Sequence, residues 1–454
     1  MEPQIIAKYN KPVPRYTSYP PANFFRMMGN EEYLDAVRLS NEAKDNHLSF
    51  YFHIPFCRHL CHYCACNSYA MMDQTTVNDY INAIHQEIDL LLPDINKNRK
   101  IAQIHYGGGS PTAMDAQVIK DINDHLLSNF ETIDHPEIAI ECHPGYLTLD
   151  NWQSLIDAGF NRFSIGIQDF NTDVLKTVNR RPSLEKMEDV VKILRNCGAK
   201  INMDFLFGLP KQTPESFADS IAQAISLNPD RLVTFSYAHV PWLKKAQMIL
   251  EKAGLPTSED KERMLDNAAR LLHQAGYKSV GMDHFTRPDD ELFIAQQNKQ
   301  LHRNFQGYCT RRTTAQVYAF GVTGISQLDT AYAQNTKDIR EYIECVSKGE
   351  LAIRKGYRLN KEEQLTREVI ENMMCNYLVD WKEIARHLDV STDELKSATE
   401  YDAGKMAEMK ADGIIDFNDD KLWMTEEGSQ FVRNVAAALD PLMRNTNKNF
   451  SKPI

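Results

Sequence analysis

Between residues 48 and 283 the chain alternates short apolar runs with amphipathic stretches, and that alternation confines this part to a parallel α/β sheet. The apolar runs fall at 48–54, 101–106, 137–142, 162–167, 200–207 and 231–237, with 278–283 a further candidate. Helical periodicity occupies 76–92, 184–196 and 214–227 between them. Six or seven such units fall short of the eight that close a full barrel, so an open, partial barrel is expected. In parallel α/β folds the site gathers at the carboxyl ends of the strands. At or near those ends stand a cysteine run, a glycine run at 107–109, Glu141, Gln168, Asp204 and Ala238. Each alone reads equally well as a cap or a packing residue; together they outline one mouth.

The cysteine run is Tyr51-Phe-His-Ile-Pro-Phe-Cys-Arg-His-Leu-Cys-His-Tyr-Cys-Ala-Cys-Asn, which places Cys57, Cys61, Cys64 and Cys66 in a CxxxCxxCxC pattern. A disulfide is disfavoured, because the nine cysteines are odd in number and the N-terminus lacks the basic-then-apolar order of a secretory signal. Spacing leaves zinc, an iron–sulfur cluster and free thiols open. His59 and His62 lie between the cysteines and suit zinc, but closed zinc sites draw ligand pairs from separated segments and no second pair occurs. Closely spaced thiolates suit iron and can wrap one cubane.

A net charge of −11 argues against a nucleic-acid surface as the main function. No apolar run approaches the roughly 20 residues a membrane helix needs, so the expected setting is the cytoplasm, away from membranes. Three segments are expected: an N-terminal arm and helix (1–47), the α/β barrel (48–350) and a helix-rich region (351–454). The proline-rich stretch from Lys11 cannot be regular helix or central strand, and reads as an extended arm packed on the main domain or lying over a site. A helix is expected at 31–45. Beyond residue 350, helices at 381–388 and 403–411, a hairpin turning at Asn418-Asp419-Asp420 and a helix at 426–438 resemble a winged-helix module. Acids outnumber bases there, which favours a protein-contact or lid role over DNA binding.

CxxxCxxC resembles the signature of the radical S-adenosylmethionine (SAM) enzymes, whose barrel is a partial (β/α)6 type. Further stretches resemble one branch, the oxygen-independent coproporphyrinogen III oxidases: Pro14-Arg-Tyr-Thr-Ser-Tyr-Pro, Tyr51-Phe-His-Ile-Pro-Phe-Cys, Gly208-Leu-Pro-Lys-Gln-Thr-Pro, Gly281-Met-Asp-His-Phe-Thr-Arg-Pro and His302-Arg-Asn-Phe-Gln-Gly-Tyr. The resemblance spans nearly the whole chain. It implies that Cys57, Cys61 and Cys64 hold a [4Fe–4S] cluster whose fourth iron is open to SAM, leaving Cys66 as an accessory residue. Tyr51, Tyr63, Gly108, Gly109, Ser110 and Glu141 would border SAM, with Glu141 on its ribose and Ile325 beside it. A second SAM is implied at Tyr63, Gly109, Ser110, Gln168, Arg180, Asp204 and Ala238.

The implied reaction is oxidative decarboxylation of two propionates of coproporphyrinogen III to vinyl groups by a SAM-derived 5′-deoxyadenosyl radical. The implied partners are the porphyrinogen, SAM and a flavodoxin- or ferredoxin-type electron donor, with the chain a monomer. One departure stands out. After Glu141 the branch usually shows an acidic residue, proline and arginine, whereas here the run is Cys142-His143-Pro144-Gly145, which would put a cysteine and a histidine near the mouth. Rival readings are a haem-opening radical SAM methyltransferase and a haem chaperone. Against the chaperone stand Cys66, where chaperones carry a non-cysteine residue, and the Pro-Arg-Tyr-Thr-Ser-Tyr arm.

Overall fold

The structure is a computed structural model that describes residues 2–43, 47–310 and 316–451. A short edge strand, β1 (Arg26–Met27), precedes β2 (Leu48–Ile54), which leads into the cysteines; β3 (Phe56–Cys57) and β4 (Tyr69–Ala70) bracket their loop. Then come β5 (Ile101–Gly108), β6 (Thr132–Cys142), β7 (Arg162–Gln168), β8 (Lys200–Phe207) and β9 (Arg231–Ser236). The strands β10 (Lys278–Val280), β11 (His284–Thr286), β12 (Leu301–Asn304) and β13 (Gly307–Thr310) follow. The main sheet is completed by β14 (Val317–Phe320), β15 (Ile325–Gln327), β16 (Ala331–Asn335) and β17 (Ile353–Arg358).

Thirteen strands form one open sheet in the order β1-β17-β16-β15-β14-β2-β5-β6-β7-β8-β9-β11-β10. From β14 to β9 every neighbour is parallel, and the strands beyond on either side are antiparallel. The partial barrel expected from the sequence is present. Its seventh parallel strand, however, is β14 and not 278–283. Only Lys278–Val280 is strand there, and Gly281, at φ 60°, turns the chain straight back into β11. A hairpin leaves no chain for the crossover that a parallel partner requires.

The parallel strands are more strictly alternating than their apolar runs suggest. Phe50, Phe52, Ile104, Tyr106, Ile140, Phe163, Ile165, Ile201, Met203 and Phe205 are buried on the helix-covered face. The intervening positions carry Tyr51, His53, His105, Glu141, Ser164, Asn202 and Asp204, aligned in register across the sheet. A pleated strand turns successive side chains to opposite faces, so the barrel interior is polar and its outside is core. Helices Gln74–Leu91 and Pro214–Leu227 cover that outside; they begin at Asp73, which accepts from the Thr76 amide, and at a Thr213–Ser216 capping box.

The C-terminal region builds its own apolar cluster from helices Lys361–Asn376, Trp381–Leu388, Ala403–Ala411 and Val432–Leu439. Beside them lies a three-stranded sheet of β18 (Leu378–Asp380), β19 (Ile415–Phe417) and β20 (Lys421–Met424). The last helix starts six residues later than expected, because the Thr425 hydroxyl donates to Gly413 O and accepts from Gly428 N, holding 425–428 in a turn. The arm joins this cluster. After a short helix, Pro3–Tyr9, it runs irregularly, with Tyr9, Tyr16 and Tyr19 buried among the C-terminal helices and the Tyr16 hydroxyl on Asp440 at 2.9 Å. It packs on the C-terminal region where packing on the barrel domain was one expectation. Helix Asn30–Ser40 ends before the expected Asp45, which lies outside the described residues. Among the described residues no helix is long and apolar enough to cross a membrane.

Candidate active site

The cysteine loop leaves β2 through Pro55 and is closed at its base by β3 and β4, with Tyr69 N on Pro55 O at 2.8 Å and Met71 N on Cys57 O at 2.9 Å. Its tip is tied down from two directions. His62 N donates to Val178 O and Asn179 Nδ2 to Leu60 O; Lys244 Nζ reaches Cys66 O at 2.7 Å and Gln247 Nε2 reaches Tyr63 O at 2.9 Å. Arg180 Nη1 donates to Cys61 Sγ at 3.6 Å and to the Tyr63 hydroxyl at 3.2 Å, while Nη2 donates to Gly166 O. The sequence left Arg180 between a surface role and a carboxylate fork; here it is chiefly a pin, holding the loop through Cys61, Tyr63 and Gly166.

Cys57, Cys61 and Cys64 are half-buried and Cys66 is exposed, all as free thiols. Burial, then the charges of Cys64 and Cys61, pushes the Cys57 thiol up to about 12. A hydrogen bond with the Cys66 thiol brings Cys64 down to about 6 and pushes Cys66 up. The thiols are thus close enough to feel one another. Among the described residues, however, no three His, Cys, Asp or Glu side chains converge on a single ion position. A lone zinc, with bonds of about 2.3 Å, needs its sulfurs about 3.8 Å apart. A cluster takes wider spacing, because each thiolate binds a different iron. His59 is also occupied, since its Nδ1 shares a hydrogen bond with the Tyr146 hydroxyl at 2.6 Å. The donor set fits the cluster.

Beside the loop, Gly109 N donates to Ile54 O and Ser110 N to Phe56 O, which locks the glycine run to the loop's base. A Cβ on Gly109 would sit 2.5 Å from Pro55 O, and Gly108 has φ 111° with the His53 ring where its Cβ would lie. The glycines are required by the protein's own packing here, before any ligand is considered. Glu141 accepts from Gly108 N at 3.4 Å and lies 3.3 Å from His105 Nε2, with its carboxylate otherwise open to the mouth. Tyr51 stacks on His105 and its hydroxyl meets His53 Nδ1 at 3.2 Å; burial raises its pKa and keeps the hydroxyl protonated.

Across the mouth Asp204 accepts from the Ser164 hydroxyl and from Asn202 Nδ2, both at 2.9 Å, and burial pushes it up to about 6. Gln168 sits at φ 68° where the β7–β8 register slips, beside Gly166. Ala238 is exposed, its carbonyl accepting from Gln247. Ile325 is two strands from β2, but the pairings Tyr51 with Ala319 and Val317 with Gln327 carry it into the row of Tyr51.

The run after Glu141 is corrected by the structure. Cys142 is buried in the apolar cluster with its thiol on Ile140 O, because strand alternation turns it away from the mouth once Glu141 faces in. His143 does stand near the mouth, accepting from Gly145 N, and burial followed by the Arg180 charge lowers it to about 3, so the ring is neutral. Sequence reasoning missed His53 and His105; their signal was polar residues at every second position inside an apolar run.

A model of the Radical SAM superfamily matches residues 51–224. The oxygen-independent coproporphyrinogen III oxidase of Helicobacter pylori is 37% identical over 99% of this chain and 98% of its own length. That of Escherichia coli is 38% identical over 97% and 95%. Among solved structures, the coproporphyrinogen III oxidase of Escherichia coli, described as a radical SAM enzyme, superposes with a TM-score of 0.85 at 37% identity, covering 94% of this chain and 97% of that one.

Proposed function

The chain belongs to the oxygen-independent coproporphyrinogen III oxidases of the radical SAM superfamily, and from that premise we propose how its mouth works. It is an oxidoreductase of haem synthesis that uses a [4Fe–4S] cluster and SAM to convert two propionates of coproporphyrinogen III into vinyl groups. The full-length match sets aside the methyltransferase, chaperone and structural-zinc readings.

Cys57, Cys61 and Cys64 are the cluster's ligands, and the observation that carries this is three half-buried free thiols on one pinned loop at the mouth. When bound, the cluster supplies the electron that splits SAM into methionine and a carbon radical able to take hydrogen from a propionate. The chain's own residues orient and enclose. Arg180, Lys244 and Gln247 hold the loop in one shape. Glu141 keeps an open carboxylate for ribose hydroxyls beside Gly108, and Tyr51 and Ile325 wall the same side. A second polar group, Arg180, Gln168 and Asp204 with Tyr63, Gly109, Ser110 and Ala238 around it, takes a second SAM. His143, neutral beside Arg180, leaves that cation's charge for an anionic group.

We assign residues 1–47 to an arm, 48–350 to the barrel and 351–454 to a helical module. The site is complete within one chain, which supports a monomer, and a reduced cluster supports a cytoplasmic setting with a flavodoxin- or ferredoxin-type donor. The test is product analysis. Anaerobically reconstituted protein should consume SAM and coproporphyrinogen III and release protoporphyrinogen IX; haem consumption with a methylated linear product would overturn the assignment.

A further inference from the structure

The mouth has a second, basic border that the thiol chemistry leaves unused. Arg303 on β12 and Arg433 on helix Val432–Leu439 grip the arm by its carbonyls. Arg433 Nε donates to Pro14 O at 3.0 Å and Nη2 to Val13 O, while Arg303 Nη1 donates to Arg15 O at 3.1 Å. The backbone is pinned on both sides of Arg15, and the Arg15 guanidinium itself holds nothing. It is exposed, and among the described residues it makes no hydrogen bond or ion pair. Protein nevertheless crowds it, for its ionisation is pushed down by loss of water and then by the Arg303 charge.

Arg303 adjoins it from the buried side. Its guanidinium lies 5.1 Å over the Tyr308 ring, and its Nε has no hydrogen-bond partner among the described residues. The carboxylate felt by both arginines is Asp283, whose Oδ1 is already engaged by His284 Nδ1 at 2.7 Å. His284 pairs with Val233, which pairs with Asp204, so the register places His284 in the row of Asp204 and this border at the mouth. Two guanidinium groups that share one committed acid, one of them buried, leave positive charge uncompensated. Their planar forks match a carboxylate.

We infer that Arg15 and Arg303 form a carboxylate-binding subsite at the arm side of the mouth, which takes a propionate of the porphyrinogen. The subsite rests on the reaction proposed above. The arm thereby reads the acid rim of the substrate, and its packing on the C-terminal helices serves to place one guanidinium.

The test uses the full chain, reconstituted anaerobically and titrated with coproporphyrin III, with its tetramethyl ester and, separately, with SAM. Wild-type protein should bind the tetra-acid more tightly than the ester. Arg15→Gln should weaken the tetra-acid by about 10- to 100-fold. It should leave ester and SAM affinity, iron content and melting temperature unchanged, since the side chain holds nothing in the fold. Arg15→Lys should recover only part of the loss, because an ammonium lacks the fork. Unchanged tetra-acid affinity in Arg15→Gln, with the wild type still preferring the acid, overturns the subsite and leaves the reaction standing. Loss of SAM affinity in that variant overturns it in favour of the SAM carboxylate. Equal binding of acid and ester by the wild type overturns the substrate reading, and the subsite with it.

Discussion

The thiol loop and the arginine border face the same mouth but are assembled in opposite ways. The loop draws Cys57, Cys61 and Cys64 from one turn of chain between two short strands, so its ligand set travels as a local pattern. The border draws Arg15, Arg303 and Arg433 from segments hundreds of residues apart, and none of the three is remarkable in its own neighbourhood. A metal group needs several donors at short range, and adjacent residues supply them most simply. A large tetra-acid needs its contacts spread over many ångströms, and only elements from different parts of the fold can span it.

Removing a loop ligand tests one side of this contrast at its strongest. Cys57→Ala, Cys61→Ala or Cys64→Ala should each drop iron from about four per chain to near none by colorimetric assay; a variant that keeps its iron would show that the loop is not the local device described. Arg433→Ala attacks the other side. It strips donors from the Val13, Pro14 and Ser451 carbonyls and should cost about 2–4 kcal/mol in denaturant unfolding. The arm should also become open to proteolysis between Tyr9 and Tyr19, and an arm that stays protected would mean its tyrosines alone hold it.

A smaller effect is expected from Glu141→Ala. SAM affinity should fall about tenfold by calorimetry while iron content holds, separating cofactor contacts from cluster ligation. Arm docking should also respond to pH. Buried Asp440, bonded by Tyr16, is raised from an ordinary 3.8 to about 6, so the folded chain holds that proton more tightly than the unfolded one. Its contribution to stability is then fully present below pH 3.8 and lost as pH rises through about 6, and Asp440→Asn should flatten that slope in a pH series of melting curves. The smallest change is expected for Cys66→Ala, which loses only a hydrogen bond to Cys64 and should keep its iron.

Much of the barrel was legible because each parallel strand carries its own apolar run; 200–207 and 214–227 emerge at the expected bounds. Strands β14 to β17 were not, since they are three to six residues long and gain their stability from neighbours they meet only in the folded sheet. Cys142 shows the same limit at one residue. Its position next to Glu141 suggested the mouth, and pleating sends it into the core.

What the sequence determined by itself was the clustering of the cysteines in one loop and the parallel strands from 48 to 237 that lead to the mouth, because both are written in residues close in the chain. The tertiary structure alone decided which face of each strand looks inward, that β14 and not 278–283 supplies the seventh parallel strand, and that the arm brings Arg15 beside Arg303. Those outcomes depend on distant surfaces being buried together, and burial is a property of the assembled fold that no single stretch of chain encodes.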